Sequence, residues 1–154
     1  MESLRTIFDV LARHGVPFVI VGGHAVSVHG HIRTTEDADI VFLRSADAER
    51  ALLAALTEMH ACWIADDIDP ATGLERAVPV TAAYVRSTRL MMLVTEAGFL
   101  DVFDFVPGLP QADVGQFFRD SVESGGLRYA SLEWLKAMKR SSDRPKDRAD
   151  LENL

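Results

Sequence analysis

Residues 18–43 read FVIVGGHAVSVHGHIRTTEDADIVFL, and this stretch decides the fold on which the rest of the chain is built. Its first four residues, Phe18–Val21, are continuously apolar, β-branched or aromatic, which predicts a buried strand. The pair Gly22-Gly23 then ends the strand, because glycine allows a tight turn and a close approach of the backbone to another group. The chain returns in a second apolar segment that starts at residue 37.

That second segment begins with two aspartates one residue apart. Side chains alternate between the two faces of a strand, so Asp37 and Asp39 are expected on one face. By the same rule Ala38, Ile40 and Phe42 point to the other face, into a core. Neighbouring carboxylates repel each other, and a bound cation would offset that repulsion. The pattern therefore predicts a metal site on the open face of this strand.

The order of these motifs resembles the nucleotidyltransferases of the DNA polymerase β superfamily. The matching segments are VGG at 21–23 and DADI at 37–40, with GFLDVF at 98–103 supplying the third carboxylate of that family on a later strand. PG at 107–108 and LKAMKR at 135–140 are similar to the small bacterial branch, the AbiEii-like and toxin–antitoxin-type proteins. The resemblance covers nearly the whole chain.

This resemblance implies a fold, a reaction and a cofactor. The fold is α/β (α+β), with a mixed, mostly antiparallel sheet of about five strands and helices packed on it. The reaction moves a nucleoside monophosphate from an NTP to an acceptor with two Mg²⁺ ions, which Mn²⁺ could replace. Asp37 and Asp39 would bind both ions. Asp101 would bind the ion nearer the acceptor hydroxyl and help to deprotonate that hydroxyl.

A second group of residues is predicted to contact the nucleotide. The two glycines would approach the β- and γ-phosphates, and a basic residue and a threonine commonly precede the Asp pair in the resembling family. Lysines on a helix near residue 140 would neutralise the triphosphate. The predicted nucleotide-binding residues are Gly22, Gly23, Arg33, Thr35, Lys136 and Lys139.

Composition indicates a single domain over residues 1–154, long enough to bury a core. The formal net charge of −7 argues against a protein that coats nucleic acid. The basic residues concentrate in a predicted helical C-terminal segment at about 128–154, where residues 128–148 hold seven basic against three acidic residues. Such a segment beside an acidic metal site suits a triphosphate or an RNA end.

No apolar run reaches the roughly 20 residues of a membrane helix, so we expect no membrane partner. The N-terminus lacks the basic start and apolar centre of a signal peptide. Cys62 is the single cysteine and is expected to be a buried thiol. Together these features predict a cytoplasmic protein.

Periodicity and capping residues predict the remaining elements. Residues 66–73 are expected to form a turn, residues 78–85 a short strand or an irregular stretch, and residues 95–98 the turn of a hairpin. Residues 114–123 are expected to cover a sheet edge. Ser45 and Ser131 are expected to cap helices. The predicted helices are 3–14, 24–29, 45–60, 131–140 and 146–154, and the strands are 18–21, 37–42, 61–65, 89–94 and 99–106.

Several alternatives stay open or are rejected on spacing. Asp104 competes with Asp101 as the third carboxylate, and the resemblance implies Asp101, because its spacing to the following Pro-Gly is similar to that of the family. A zinc site at His24, His29 and His31 is rejected, because the first two do not share a helix face and no cysteine is near.

Three function classes remain. The acceptor of the transfer could be a protein side chain, a tRNA 3′ end or a small molecule, and the resemblance adds toxin–antitoxin or phage-defence modules. The expected partners are an NTP and an unidentified acceptor, with a partner protein or tRNA among the candidates; the oligomeric state is open. The second class is a non-catalytic nucleotide- or partner-binding module of the same fold. The third is a metal-dependent hydrolase, for which His24 would be the general base.

Overall fold

The computed structural model of the chain describes residues 2–30 and 37–154. These residues form helices and strands that alternate along most of the chain. No helix in this part of the chain combines the length and the apolar character needed to cross a membrane. In chain order the elements are α1 (Glu2–Arg13), β1 (Phe18–Val21), α2 (Gly22–Val28), β2 (Asp37–Phe42), α3 (Ala46–Glu58), β3 (Cys62–Ile68), β4 (Glu75–Pro79), α4 (Ala82–Ser87), β5 (Leu90–Thr95), β6 (Gly98–Phe103), α5 (Val114–Arg119), β7 (Val122–Ser124), β8 (Leu127–Tyr129), α6 (Leu132–Ser142) and α7 (Pro145–Asn153).

All strands belong to one mixed sheet of order β4-β3-β5-β6-β2-β1-β8-β7. Neighbouring strands are antiparallel except for the pairs β2–β6 and β1–β8, which are parallel. The predicted α/β class with a mostly antiparallel sheet is confirmed. The expected number of about five strands is wrong, since the described sheet has eight. The strands that the periodicity missed are β4, which is mostly exposed, and β7 and β8, which have three residues each.

The sheet carries an apolar cluster on each face. Ala38, Ile40 and Phe42 of β2 are completely buried in the first cluster, under α1 and α3, as their alternation predicts. The second cluster lies on the opposite face and includes Val41 of β2 together with residues of α2, α5 and α6. Because β1 separates the two clusters, all four of its side chains are buried. The carboxylates of β2 therefore belong to the face that the second cluster partly covers.

The long-range pairing of β6 brings distant parts of the chain together. β5 and β6 form the predicted hairpin, with Thr95 opposite Gly98 at its turn. The other edge of β6 pairs with β2 in parallel, over a register from Asp37 opposite Phe99 to Val41 opposite Phe103. This pairing sets the third predicted carboxylate beside the first two.

Local capping chemistry explains most of the helix boundaries. The hydroxyl of Ser45 accepts a hydrogen bond from the backbone N–H of Ala48 at 3.0 Å, and Ser131 caps α6 in the same way. The prediction for residues 78–85 holds only for its first part, where residues 78 and 79 end β4; Thr81 then caps a helix, α4, that the prediction missed. Residues 66–68 continue β3 instead of starting the predicted turn, and α2 begins at Gly22 instead of His24.

Candidate active site

A cavity of about 650 Å³ lies between the sheet and the two C-terminal helices. Asp37, Asp39 and Asp101 all line it. The glycine pair that follows β1 contributes to the same wall, and Lys139 of α6 lines it as well. A volume of this size is within the range of small-molecule sites in proteins. The structure therefore places the three predicted carboxylates and the glycine bend around one space.

The three carboxylates have unequal surroundings. Asp39 lies directly opposite Asp101 across the parallel β2–β6 pair, and the two carboxyl groups perturb each other's ionisation. Asp37 is two residues earlier on the same strand, so it lies on the same face, and it is exposed. Two ionised carboxylates in this position repel each other, and a proton held by one of them relieves that repulsion. Asp39 and Asp101 are therefore a proton-sharing pair, with Asp37 at its exposed side.

Burial is the largest cause of the unusual acidity of this pair. Together with the charge and the hydrogen-bonding side chain of Asp101 and the charge of Asp37, burial raises the pKa of Asp39 from 3.8 to about 7. The positive charge of Lys146 acts in the opposite direction. Burial and the charge of Asp37 also raise the pKa of Asp101, while its hydrogen bond with Asp39 lowers it. The charge of Asp37 thus disfavours ionisation of both buried carboxyl groups, and Asp101 disfavours ionisation of Asp39.

This donor set can be compared with the needs of Mg²⁺. Carboxylate oxygens are the ligands that Mg²⁺ prefers, and repulsion between these groups would be relieved by a cation. In residues 2–30 and 37–154, however, no three His, Cys, Asp or Glu side chains are already gathered closely enough to hold one ion. A proton held by Asp39 and Asp101 would compete with a cation for the same oxygens. The residues fit a divalent cation in chemical type, and all three would bind one ion only if their side chains closed around it.

The pH dependence of stability tests this arrangement. Because the pKa of Asp39 is raised by folding, the folded state holds its proton more tightly than the unfolded chain does. The stabilisation is fully present below about pH 4 and is lost as the pH rises through about 7. In the absence of metal we expect the free energy of unfolding to fall by about 2 kcal/mol over this window, below the roughly 4 kcal/mol of an isolated group.

The measurement is urea unfolding in EDTA at pH 4.5, 6 and 7.5. Asp39→Asn should flatten the decline, since it removes the shared proton. Asp66→Asn, at an exposed position of β3, serves as the matched control and should leave the decline unchanged. A decline of equal size in the Asp39→Asn protein would contradict the proton-sharing pair.

Gly22 has a structural role that the sequence analysis did not anticipate. Its φ is +71°, and a Cβ added there would overlap a carboxylate oxygen of Asp39 and lie 3.1 Å from the Asp39 Cγ. Val21, just before it, is directly opposite Asp39 in the β1–β2 pair. The absent side chain of Gly22 therefore makes room for the Asp39 carboxylate. The predicted contact of Gly22 and Gly23 with phosphates stays a prediction.

We expect Gly22→Ala to destabilise the protein more than Gly15→Ala does. Gly15 has a similar φ of +77° with nothing within 4 Å of an added Cβ, so it reports backbone strain alone, about 1–2 kcal/mol. Gly22→Ala adds the collision with Asp39, typically another 1–3 kcal/mol. Urea unfolding measures both variants. Asp39→Ala in the Gly22→Ala background should recover the additional loss, and equal losses in the two alanine variants would contradict the close contact.

The basic residues of the C-terminal helices differ in their environments. The ammonium of Lys139 is buried and lies 3.2 Å from a carboxylate oxygen of Asp147 and 3.2 Å from one of Asp150. Lys136 is half-buried and is not among the residues that line the cavity. Lys146, which is exposed at the start of α7, does line it. Lys139 is thus already paired with two carboxylates, whereas the positive charge of Lys146 favours the ionised form of Asp39 and lowers its pKa.

Sequence reasoning missed Lys146 and Arg144 as residues of the cavity. Both were part of the predicted basic segment, but neither was assigned to the site. The signal that could have found them is Pro145, which starts a helix right after α6 ends and so places its first turn beside the preceding helix. Two other predicted residues, Arg33 and Thr35, lie outside the described residues.

Two sequence alternatives can now be compared with the geometry. Asp104 binds Arg44 at 2.8 Å and Arg89 at 2.9 Å and does not line the cavity, so it is a structural ion-pair partner. His24 does not line the cavity either; its ring packs edge-on against Phe8, with centroids 5.3 Å apart. Burial lowers the pKa of His24. Neither residue is placed to act on a molecule held between the three carboxylates.

Comparison with known proteins provides limited information. No family model and no curated protein sequence matches the chain. A crystal structure of a candidate nucleotidyltransferase from H. pylori is similar to it, with 15% sequence identity and a TM-score of 0.43, over 88% of this chain and 56% of that one. This chain therefore spans less than two thirds of the length of that protein. A likeness at this level leaves the function to be argued from the site.

Proposed function

We propose that the protein is a metal-dependent nucleotidyltransferase that moves a nucleoside monophosphate from an NTP to an acceptor hydroxyl. The observation that supports this most is the shared cavity of Asp37, Asp39 and Asp101, next to the glycine bend and to a basic helix end. A set of carboxylates alone would repel a triphosphate. The same space therefore needs both cation ligands and positive side chains, and it has both.

Each group in the cavity has a task in this proposal. Asp37 and Asp39 hold the cations, and Asp101 accepts the proton of the attacking hydroxyl. Lys146 attracts the triphosphate, because it is the exposed lysine of the cavity. Lys139 acts through α7, which its ion pairs hold in position. Bound Mg²⁺ would supply charge stabilisation for the attacking and leaving oxygens.

The broader features of the protein belong to the same proposal. We infer a place among AbiEii-like or toxin–antitoxin-type enzymes, on the segments PG at 107–108 and LKAMKR at 135–140. We also infer a cytoplasmic setting, since a single cysteine allows no internal disulfide. A non-catalytic module of the same fold is the second candidate. The raised pKa of Asp39 in a cavity is typical of catalytic sites and favours the enzyme.

Thermal unfolding with each NTP and Mg²⁺ tests whether the first cavity is the donor site, the place where the NTP binds. A ligand present at about 100 times its Kd stabilises the folded state by roughly 2.7 kcal/mol, so we expect a clear rise of Tm that needs nucleotide and metal together. Lys146→Ala should reduce the rise. Lys136→Ala is the matched control on the neighbouring helix and should keep it.

The possible results separate the two candidates. No rise of Tm with any NTP would contradict both the transferase and the nucleotide-binding module. A rise without transfer of an α-phosphate label to any component of a cell lysate would favour the module. An equal reduction of the NTP-induced rise of Tm in the Lys136→Ala and Lys146→Ala proteins would contradict the role of α7 in binding the NTP.

A further inference from the structure

A second cavity, of about 610 Å³, adjoins two of the same three carboxylates. It shares Asp37 and Asp101 with the first cavity but none of the basic residues of α6 and α7. The two cavities therefore meet at the groups that would hold the cations and accept the proton. This is the position in which the attacking hydroxyl must be held during transfer.

The walls of the second cavity are apolar and aromatic. Met92 is 65% exposed and Phe99 is 55% exposed, on the face of β5 and β6 that also carries Asp101. Trp63 and Tyr84 also line the cavity; their rings stack with planes 3° apart and centroids 5.3 Å apart, and they pack against the first apolar cluster, on the opposite face of the sheet from Met92 and Phe99. Exposed apolar side chains of this size grouped around a concavity mark a binding site more often than a solvated surface.

The charge of the cavity limits what can bind there. Its lining residues include Glu75 and the two shared aspartates, and no lysine, arginine or histidine is among the described residues that line it. An RNA or tRNA end would need basic side chains for its phosphates. Even with the aspartates neutralised by cations, Glu75 keeps the described part of the lining negative. The chemistry therefore favours a positively charged molecule over an anionic one.

We propose that this second cavity is the acceptor site and that it takes a small molecule with an apolar body, an amino group and a hydroxyl. The inference rests on the nucleotidyltransferase function proposed above. The acceptor oxygen forms a bond to the α-phosphorus of the NTP, and the bond between the α-phosphorus and the bridging oxygen breaks. Pyrophosphate leaves with the electron pair of that bond, and the hydroxyl proton passes to Asp101.

A cell extract is first separated into pools, and each pool is then incubated with the protein, Mg²⁺ and the four NTPs labelled at the α-phosphate, so that the charge of a pool is that of the acceptor before transfer. The pools are cationic, neutral and anionic small molecules, RNA, and protein. We expect the label in the cationic small-molecule pool. Label that appears chiefly in the neutral, anionic, RNA or protein pool would overturn the acceptor assignment. No label in any pool, while an NTP still raises Tm, would overturn it and leave the donor site standing.

A charge-reversal pair then localises the site. Glu75→Lys should lower incorporation into the cationic pool at least tenfold without changing the rise of Tm by NTP. Glu123→Lys, at an exposed position of β7 outside both cavities, is the matched control and should leave incorporation unchanged. Met92→Asp should likewise lower incorporation, and Leu74→Asp, also exposed but outside the cavity, should not. Full incorporation of label by the Glu75→Lys protein would contradict the placement of the acceptor in the second cavity. If no NTP raises the Tm of the wild-type protein, the proposed function itself is refuted.

Discussion

Asp39→Asn and Asp101→Asn are each expected to lower the rate of nucleotidyl transfer on the order of a thousandfold. Each removes a negative charge: in the proposed function, that of Asp39 holds the cations and that of Asp101 accepts the proton of the acceptor hydroxyl. The same substitutions should raise stability without metal at pH 8, by about 1–2 kcal/mol, because they end the repulsion between buried carboxylates. Activity and stability should thus change in opposite directions, as at many functional sites.

Asp104→Asn is the control for this prediction. It substitutes another aspartate near β6, but one that is paired with Arg44 and Arg89 outside the cavity. We expect it to lower stability, since two guanidinium groups lose their partner, and to retain the rate of transfer in the protein that stays folded. Transfer rates from label incorporation and unfolding curves in urea give both values. Full activity in Asp39→Asn, or a loss of stability in it, would contradict the role given to the pair.

Lys139→Met is expected to destabilise the protein by about 3–5 kcal/mol. Lys139 is 8% exposed, and the side chains of Asp147 and Asp150 are 0% and 1% exposed, so its removal takes a buried cation from both carboxylates, of which Asp147 keeps Arg144 at 2.8 Å. Asp147 and Asp150 are also the buried residues of α7, so ion pairs with α6 hold this helix in place of an apolar stripe. Urea unfolding measures the loss, and hydrogen exchange over 145–153 should show opening of α7. Lys136→Met, one turn earlier, should cost less than about 1 kcal/mol.

A second variant separates a positional role of Lys139 from a direct contact with the triphosphate. Asp150→Asn loosens the pairing of α7 but keeps the lysine. If Lys139 acts through α7, Asp150→Asn and Lys139→Met should both weaken NTP binding, measured as the rise of Tm. If Lys139 contacts the phosphates directly, Asp150→Asn should free its charge and leave binding equal or stronger. The second result would restore the direct role that the sequence predicted.

The features that local patterns determine were predicted well. Alternation along β2 separates Asp37 and Asp39 from Ala38, Ile40 and Phe42, because a strand has a side-chain period of two whatever it pairs with. The buried strand at 18–21 and the serine caps of α3 and α6 follow from side chains acting on their own segment. Missed elements such as α4 and β4 have short or mostly exposed segments, where the apolar pattern is weak.

By itself, then, the sequence determined which faces its strands present, where several helices begin, and which acidic residues were candidates for one site. Only the tertiary structure decided that Asp39 is opposite Asp101, that Gly22 yields space to a carboxylate, and that Lys139 is buried between two aspartates. The physical reason is that faces and caps depend on a few neighbouring residues. Strand partners, burial and the sharing of a proton depend on groups that are far apart along the chain and meet only on folding.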